Sequence, residues 1–366
     1  LGVEDRLDEL LEKRKALKLE IHPHKDYTKR DFPAIHTGTP HIYEAETLTD
    51  CRSAYGKVLE DLAKANNQSD IPKVLAFTCD LEGSVKMNLF HQVSPHAFFE
   101  SGIQEHHTAT LTGRLSKEGF LVFFSTFGVF AGSEVYNQQR LNDYNRTNLK
   151  VVATHCGIDV GEDGPTHQCI DFIGLIANLS TFQIFFPADP NQTDHLIRFI
   201  AQKEGNDFVA MGRSKLPIIT KEDGTPFFDQ NYIFVPGKGD ILRNGKDGTI
   251  FSFGPALHNV LEALPLLQEK GISPTVINMA SLKPIDKELI LQAAQKGPIM
   301  TVEDHRVDTG LGSLVAKILA ENRLNPPFQS LGVKAYGSSG KPKEVYQLLG
   351  LDSQGIQRSF MEFYSS

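Results

Sequence analysis

Phe120-Leu121-Val122-Phe123-Phe124-Ser125-Thr126-Phe127-Gly128-Val129-Phe130 is the stretch on which the fold turns. It is an apolar run that reads as a buried strand leading into a helix, and most such runs are core and nothing more. Phe124, Phe127 and Phe130 recur every three residues across the strand-to-helix turn. In a doubly wound sheet that turn borders the ligand crevice, where an aromatic wall can stack a flat heteroaromatic ring.

Outward from this run, strand-like segments alternate with helical ones. Residues 74–78, 119–125, 149–154 and 182–186 read as strands, spaced widely enough for crossover helices. The alternation predicts a parallel, doubly wound sheet. Pro187-Ala188-Asp189-Pro190-Asn191 ends one strand and caps the next helix, and a polar hairpin-like passage at 221–231 marks a domain boundary. A second α/β unit follows, with strands at 249–253, 275–279 and 299–303 and helices at 258–270, 288–296, 313–321 and 343–349. Residues 7–18 have the period of an exposed amphipathic helix, and 22–44 read as a linker or surface strap. The expected class is α/β with two doubly wound domains. A helix and linker occupy 1–46, the first domain 47–225 and the second 226–366.

With 366 residues, two cores can be buried. The net charge of −8 is spread along the chain, which argues against nucleic-acid binding. No apolar span of membrane length and no secretory signal pattern are present. Cys51, Cys79, Cys156 and Cys169 contain no CxxC and read as reduced thiols of a cytoplasmic protein.

The chemistry concentrates in Gly161-Glu162-Asp163-Gly164-Pro165-Thr166-His167-Gln168, preceded by His155 and, earlier, by Gln104-Glu105-His106-His107. Taken alone, Glu105 reads as an acid favouring a helix N-terminus. His155, Cys156, His167 and Cys169 superficially suggest zinc, but adjacent ligands would diverge. Asp163, His167 and Ser125 suggest a hydrolase triad, but no GxSxG elbow is present. Glu303-Asp304-His305 with Gly310-Leu311-Gly312 is a weak nucleotide-loop signal.

The segments "FFESGIQEHH", "FFSTFGVF" and "THCGIDVGEDGPTHQ", followed by "GRSKLP", "TVEDH", "GLGS" and "GSSGKPKEVYQLLGL", resemble transketolases in order from about Thr47 to the end. The resemblance implies a pyrimidine-binding fold followed by a transketolase C-terminal domain. It implies that Glu105 hydrogen-bonds N1′ of the aminopyrimidine of thiamine diphosphate and so promotes loss of the thiazolium C2 proton. Phe124, Phe127 and Phe130 would hold that ring. His155, Asp163 and His167 would line the substrate channel, and Arg52 and Arg213 would bind the sugar phosphate. Thr78, Cys79 and Asp80 correspond to a family segment that touches substrate or cofactor. Two departures, His106-His107-Thr108 after the glutamate and Cys156 where many members carry aspartate, bear on acceptor preference.

The family also needs a diphosphate-binding domain with a Gly-Asp-Gly opening, whose residues ligate Mg2+ (or Ca2+), and that pattern is absent here. The expectation is therefore half an active site, with no metal ligands of its own. It would be completed in a homodimer or a heterotetramer by a diphosphate-binding domain or subunit, as a fragment or as a separate subunit. The expected activity is transfer of a two-carbon ketol unit between phosphorylated sugars, absent from this chain alone. The alternatives are a 1-deoxyxylulose-5-phosphate synthase-like enzyme and a non-catalytic assembly subunit of the same fold.

Overall fold

The computed structural model describes residues 6–16 and 31–365. The first compact unit, residues 1–30, contains α1 (Leu7–Ala16). Glu9–Lys13 and Glu12–Lys15 ion pairs lie along this exposed helix, one turn apart as helix geometry requires. The rest of the expected helix to 18 and the strap before residue 31 fall outside the described residues.

The second unit, from residue 31 onward, holds two large sheets and a two-stranded one. Its first part runs β1 (Leu48–Thr49), α2 (Cys51–Asn66), β2 (Val74–Thr78), α3 (Asn88–Val93), β3 (Phe98–Glu100), α4 (Glu105–Ser116) and β4 (Leu121–Phe127). It continues with α5 (Tyr136–Tyr144), β5 (Leu149–Thr154), α6 (Phe172–Ile176), β6 (Phe182–Phe185), α7 (Pro190–Gln202), β7 (Asn206–Ala210) and β8 (Leu216–Pro217). Then come β9 (Asp240–Arg243), β10 (Thr249–Ser252), α8 (Gly254–Gln268), β11 (Thr275–Asn278), β12 (Ser281–Lys283) and α9 (Lys287–Ala294). The chain closes with β13 (Ile299–Arg306), α10 (Leu311–Glu321), β14 (Phe328–Val333), α11 (Pro342–Leu348) and α12 (Ser353–Ser365).

The larger sheet has seven strands in the order β12-β6-β7-β5-β4-β2-β3. All are parallel except β12 at the edge. Strands β2, β5 and β7 are buried at every residue, as expected where helices cover both faces of a parallel sheet. On one face Tyr55 of α2 packs on Phe123 and bonds Ser125 Oγ at 2.6 Å. Chain order reverses at β2, with β3 on one side and β4 on the other. Ligands bind beyond the carboxyl ends of strands at such a point.

Side-chain caps fix where the helices start. Asp50, Asp189 and Asp286 each accept a backbone N–H from the first turn of α2, α7 and α9. Each such cap contributes about 1 kcal/mol. Residues 31–47 form a strap over α2 and α7. The amides of Asn66 and Asn191 bond both N–H and C=O of His36 and Tyr43 respectively.

The second sheet runs β14-β13-β10-β11-β9, parallel except for β9, under α8 and α12. It is joined to the first by backbone bonds from Arg306 N–H to Ile170 and from Phe186 N–H to Ala280. Strand β12, though it follows the second sheet's β11, pairs with β6 of the first.

Candidate active site

Strands β2, β4 and β5 end side by side, and the residues just past them carry polar or aromatic groups. Asp80 after β2 (φ 59°) and His155 after β5 (φ 60°) both sit in the left-handed region. Non-glycine residues there cost on the order of 1 kcal/mol, so two of them at one sheet edge point to a functional site. Cys79 is buried, with its sulfur 3.4 Å from Thr108 Oγ1.

Glu105 is the first residue of α4 and is 5% exposed. An ordinary helix-terminal acid is held in its charged form by the dipole. Here the carboxyl pKa is raised: burial is the main cause, and Glu134 and Glu100 add to it against the helix N–H and His106. The side chain is therefore disposed to hold or share a proton. Helix α4 packs on β4 and on the π-helical turn Val129–Glu134, the two segments that carry the phenylalanines.

Phe127 ends β4 and stacks on Phe130 in that turn at 6.0 Å between centroids. His155 lies against Phe127 at 3.9 Å, and His167 meets both phenylalanines edge-on at 6.0 Å. Four rings from three segments thus form one wall. Phe124 is fully buried within β4, on the face opposite Phe123 and Ser125, and no ring contact joins it to these four. Gly128 is required at the bend, since a Cβ there would lie 2.6 Å from Cys156 Sγ.

The two histidines are held alike. Thr154 Oγ1 lies 2.9 Å from His155 Nδ1, and Thr166 Oγ1 lies 2.9 Å from His167 Nδ1. Among the described residues neither Nε2 has a protein hydrogen-bond partner, so each is free to face a ligand. The His155 pKa is lowered to about 3, by burial first and then by Arg52, Arg213 and His167.

Asp163 ends the 3-10 turn Gly161–Asp163, with Arg213 Nε 3.9 Å away. Arg213 Nη1 donates to Val160 O at 3.0 Å, and its side chain remains 38% exposed. Arg52 is more enclosed. Its Nη2 donates to Arg213 O at 2.7 Å and its Nη1 to Ser84 O at 3.1 Å, and Asp50 lies 3.1 Å from its Nε. Arg52 thereby anchors the Arg213 backbone as well as contributing charge.

Asp159 does not stand out in the sequence. It is fully buried and accepts the N–H groups of Arg213 and Ser214 at 2.8 Å each, fixing the arginine's loop. Only its place between His155 and Asp163 marks it. The rival clusters lie elsewhere or hold no ligand geometry. Among the described residues no group of three or more His, Cys, Asp or Glu could hold a metal. The four cysteines are free and buried. Glu303 accepts the Leu311 and Gly312 N–H groups, so the GxG segment is a helix start tied to β13, with no open phosphate cradle. His305 accepts from Ile173 N–H, which ties the second sheet to α6.

Residues 49–218 match the transketolase pyrimidine-binding domain, and residues 237–356 the transketolase C-terminal domain. The chain is 35% identical to a "Putative transketolase C-terminal section" from Methanocaldococcus jannaschii, over 85% of this chain and 95% of that protein. It is 30% identical to one subunit of the apulose-4-phosphate transketolase of Phocaeicola vulgatus, over 87% of this chain and 99% of that one. It spans about half the length of other curated relatives, matching 53% of rat transketolase at 28% identity. Among solved structures, a split-gene transketolase described as an inactive beta4 tetramer superposes with a TM-score of 0.76. Its identity is 34%, covering 87% of this chain and 99% of that one. These matches favour transketolase over the synthase-like and non-catalytic alternatives. The chain belongs to the transketolase family and corresponds to its C-terminal portion, the pyrimidine-binding and C-terminal domains.

Proposed function

We propose that this chain supplies the pyrimidine half of a thiamine diphosphate site in a transketolase that moves a two-carbon ketol unit from a ketose phosphate to an aldose phosphate. The observation that carries this is the buried Glu105, with its raised pKa, on the helix packed against the Phe127–Phe130 turn. A carboxyl that holds a proton suits a ring nitrogen, and stacked phenylalanines suit a flat ring, so the residues present fit the aminopyrimidine. Phe127 and Phe130 would grip that ring, with Phe124 shaping the strand beneath it. When bound, thiamine diphosphate supplies a nucleophilic carbon and an electron sink for cleaving the carbon–carbon bond.

The chain's own side chains then orient and move protons. Neutral His155, with His167 and Asp163, would bond the sugar hydroxyls and carry a proton between them. Arg213, with Arg52 behind it, would take the sugar phosphate. The diphosphate and its Mg2+ (or Ca2+) would be held by a diphosphate-binding domain or subunit in a homodimer or heterotetramer. The relatives named as a C-terminal section and as a transketolase subunit support such an assembly. Four unpaired thiols suit a reducing, cytoplasmic setting.

The test is Glu105→Ala in the enzyme assembled with its diphosphate-binding partner. Turnover should fall by roughly 100-fold or more, with circular dichroism and subunit pairing unchanged. Turnover within a few-fold of the unmodified enzyme would refute the role.

A further inference from the structure

The loop that bears Asp163 and His167 is gripped from the C-terminal domain. Gln168, only 2% exposed, accepts the Gly337 N–H through Oε1 at 2.9 Å and donates from Nε2 to Ser338 O at 3.3 Å. Ser339 Oγ donates to Glu162 O at 2.6 Å. The surfaces meet closely: a Cβ on Gly161 would lie 3.0 Å from Pro342, and one on Gly164 3.2 Å from Ser339. Both glycines have positive φ, so the loop's shape and the close approach need glycine together.

The start of the loop is held from the same domain. Tyr346 donates to Asp304 Oδ2 at 2.7 Å, and Asp304 packs under Gly157, where a Cβ would lie 2.2 Å from that oxygen. Residues 157–168 are therefore clamped at both ends by groups of the C-terminal domain.

We infer that the segment 337–341 is a positioning element. It fixes Asp163 and His167 against the Phe127–Phe130 wall, so the C-terminal domain sets the affinity of the site for its sugar substrate. What that loop binds rests on the function proposed above; the clasp itself does not. Gln168 and Ser339 are its positioning residues.

The experiment pairs hydrogen exchange on the chain alone with kinetics of the assembled enzyme. In the double variant Gln168→Ala, Ser339→Ala, deuterium uptake should rise across 157–168 while β5 keeps its protection. In the assembled enzyme KM for the sugar phosphate should rise ~10-fold with a smaller change in kcat, since a displacement of about 1 Å costs up to ~100-fold. Ser339→Thr, which keeps the hydroxyl, should remain near the unmodified values. Unchanged uptake in the double variant overturns the clasp, and raised uptake with unchanged KM overturns its role in positioning. Because uptake is read without turnover, an enzyme with no ketol transfer would count against the proposed function and leave the clasp decided by exchange alone.

Discussion

Phe127 and His155 lie ring against ring, their centroids 3.9 Å apart with 34° between the planes. A cationic imidazole would gain about 2 kcal/mol from that aromatic face. Burial, with Arg52 and Arg213 nearby, lowers the pKa from 6.5 to about 3, which corresponds to roughly 5 kcal/mol against the cation. The larger effect wins and the ring is neutral, able to donate at one nitrogen and accept at the other. Such a ring can relay a proton through its two nitrogens without holding a charge.

A titration should show this directly. The His155 ring resonances in an NMR pH series should stay in their neutral positions from pH 9 down to about 4, where an exposed imidazole shifts near 6.5. Because the unfolded chain takes up this proton first, the group's contribution to stability is lost as pH falls from 6.5 toward 3. A midpoint near 6.5 would contradict the enclosed, neutral ring.

Arg213 is the accessible cation of the site, and Arg52 lies behind it. Arg213→Ala should raise KM for a phosphorylated ketose by ~10–100-fold, the worth of a charge-assisted hydrogen bond. Turnover of the same sugar without its phosphate should change little. Equal losses for both sugars would show that Arg213 does not read the phosphate.

Lys150 and Asp207 form an ion pair with neither side chain exposed, and the ammonium also bonds Asn148 Oδ1 and two carbonyls. Burial lowers the lysine pKa to about 8 despite that partner. Lys150→Met should cost about 3–5 kcal/mol, because it strips one partner from a buried charge. At about 1–2 °C per kcal/mol for a unit of this size, Tm should drop by roughly 3–10 °C. Scanning calorimetry reads it, and a shift under about 2 °C would mean that Lys203, also paired with Asp207, is sufficient.

Local signals carry much of this fold. The strands at 74–78 and 149–154 are legible because a parallel strand covered on both faces is apolar throughout. Asp189 followed by Pro190 is a helix start that reads from composition alone. Long-range pairings are not legible. Nothing local in Ser281-Leu282-Lys283 says that it crosses to the first sheet. The ends of the central strands also run on: β4 reaches Phe127, and β13 reaches Arg306 through Glu303, Asp304 and His305. All three polar residues are buried, and Asp304 and His305 find their partners 42 and 132 residues away, which period and composition cannot reveal. At the site, His155 and His167 stand out by type and spacing, whereas Glu105 alone reads as a helix-terminal acid and is singled out by the family resemblance. The hidden supports, Asp159 and the grip of Gln168 on Gly337 and Ser338, exist only once the loops have met.

The central claim is that this chain holds half of a thiamine diphosphate site. It is tested by assaying ketol transfer from xylulose 5-phosphate to ribose 5-phosphate with thiamine diphosphate and Mg2+. The assay is run on this chain alone and again with its diphosphate-binding subunit or domain. Activity only in the combination is the predicted result. Robust turnover by the pure chain, or none in a combination that binds the cofactor, would contradict it.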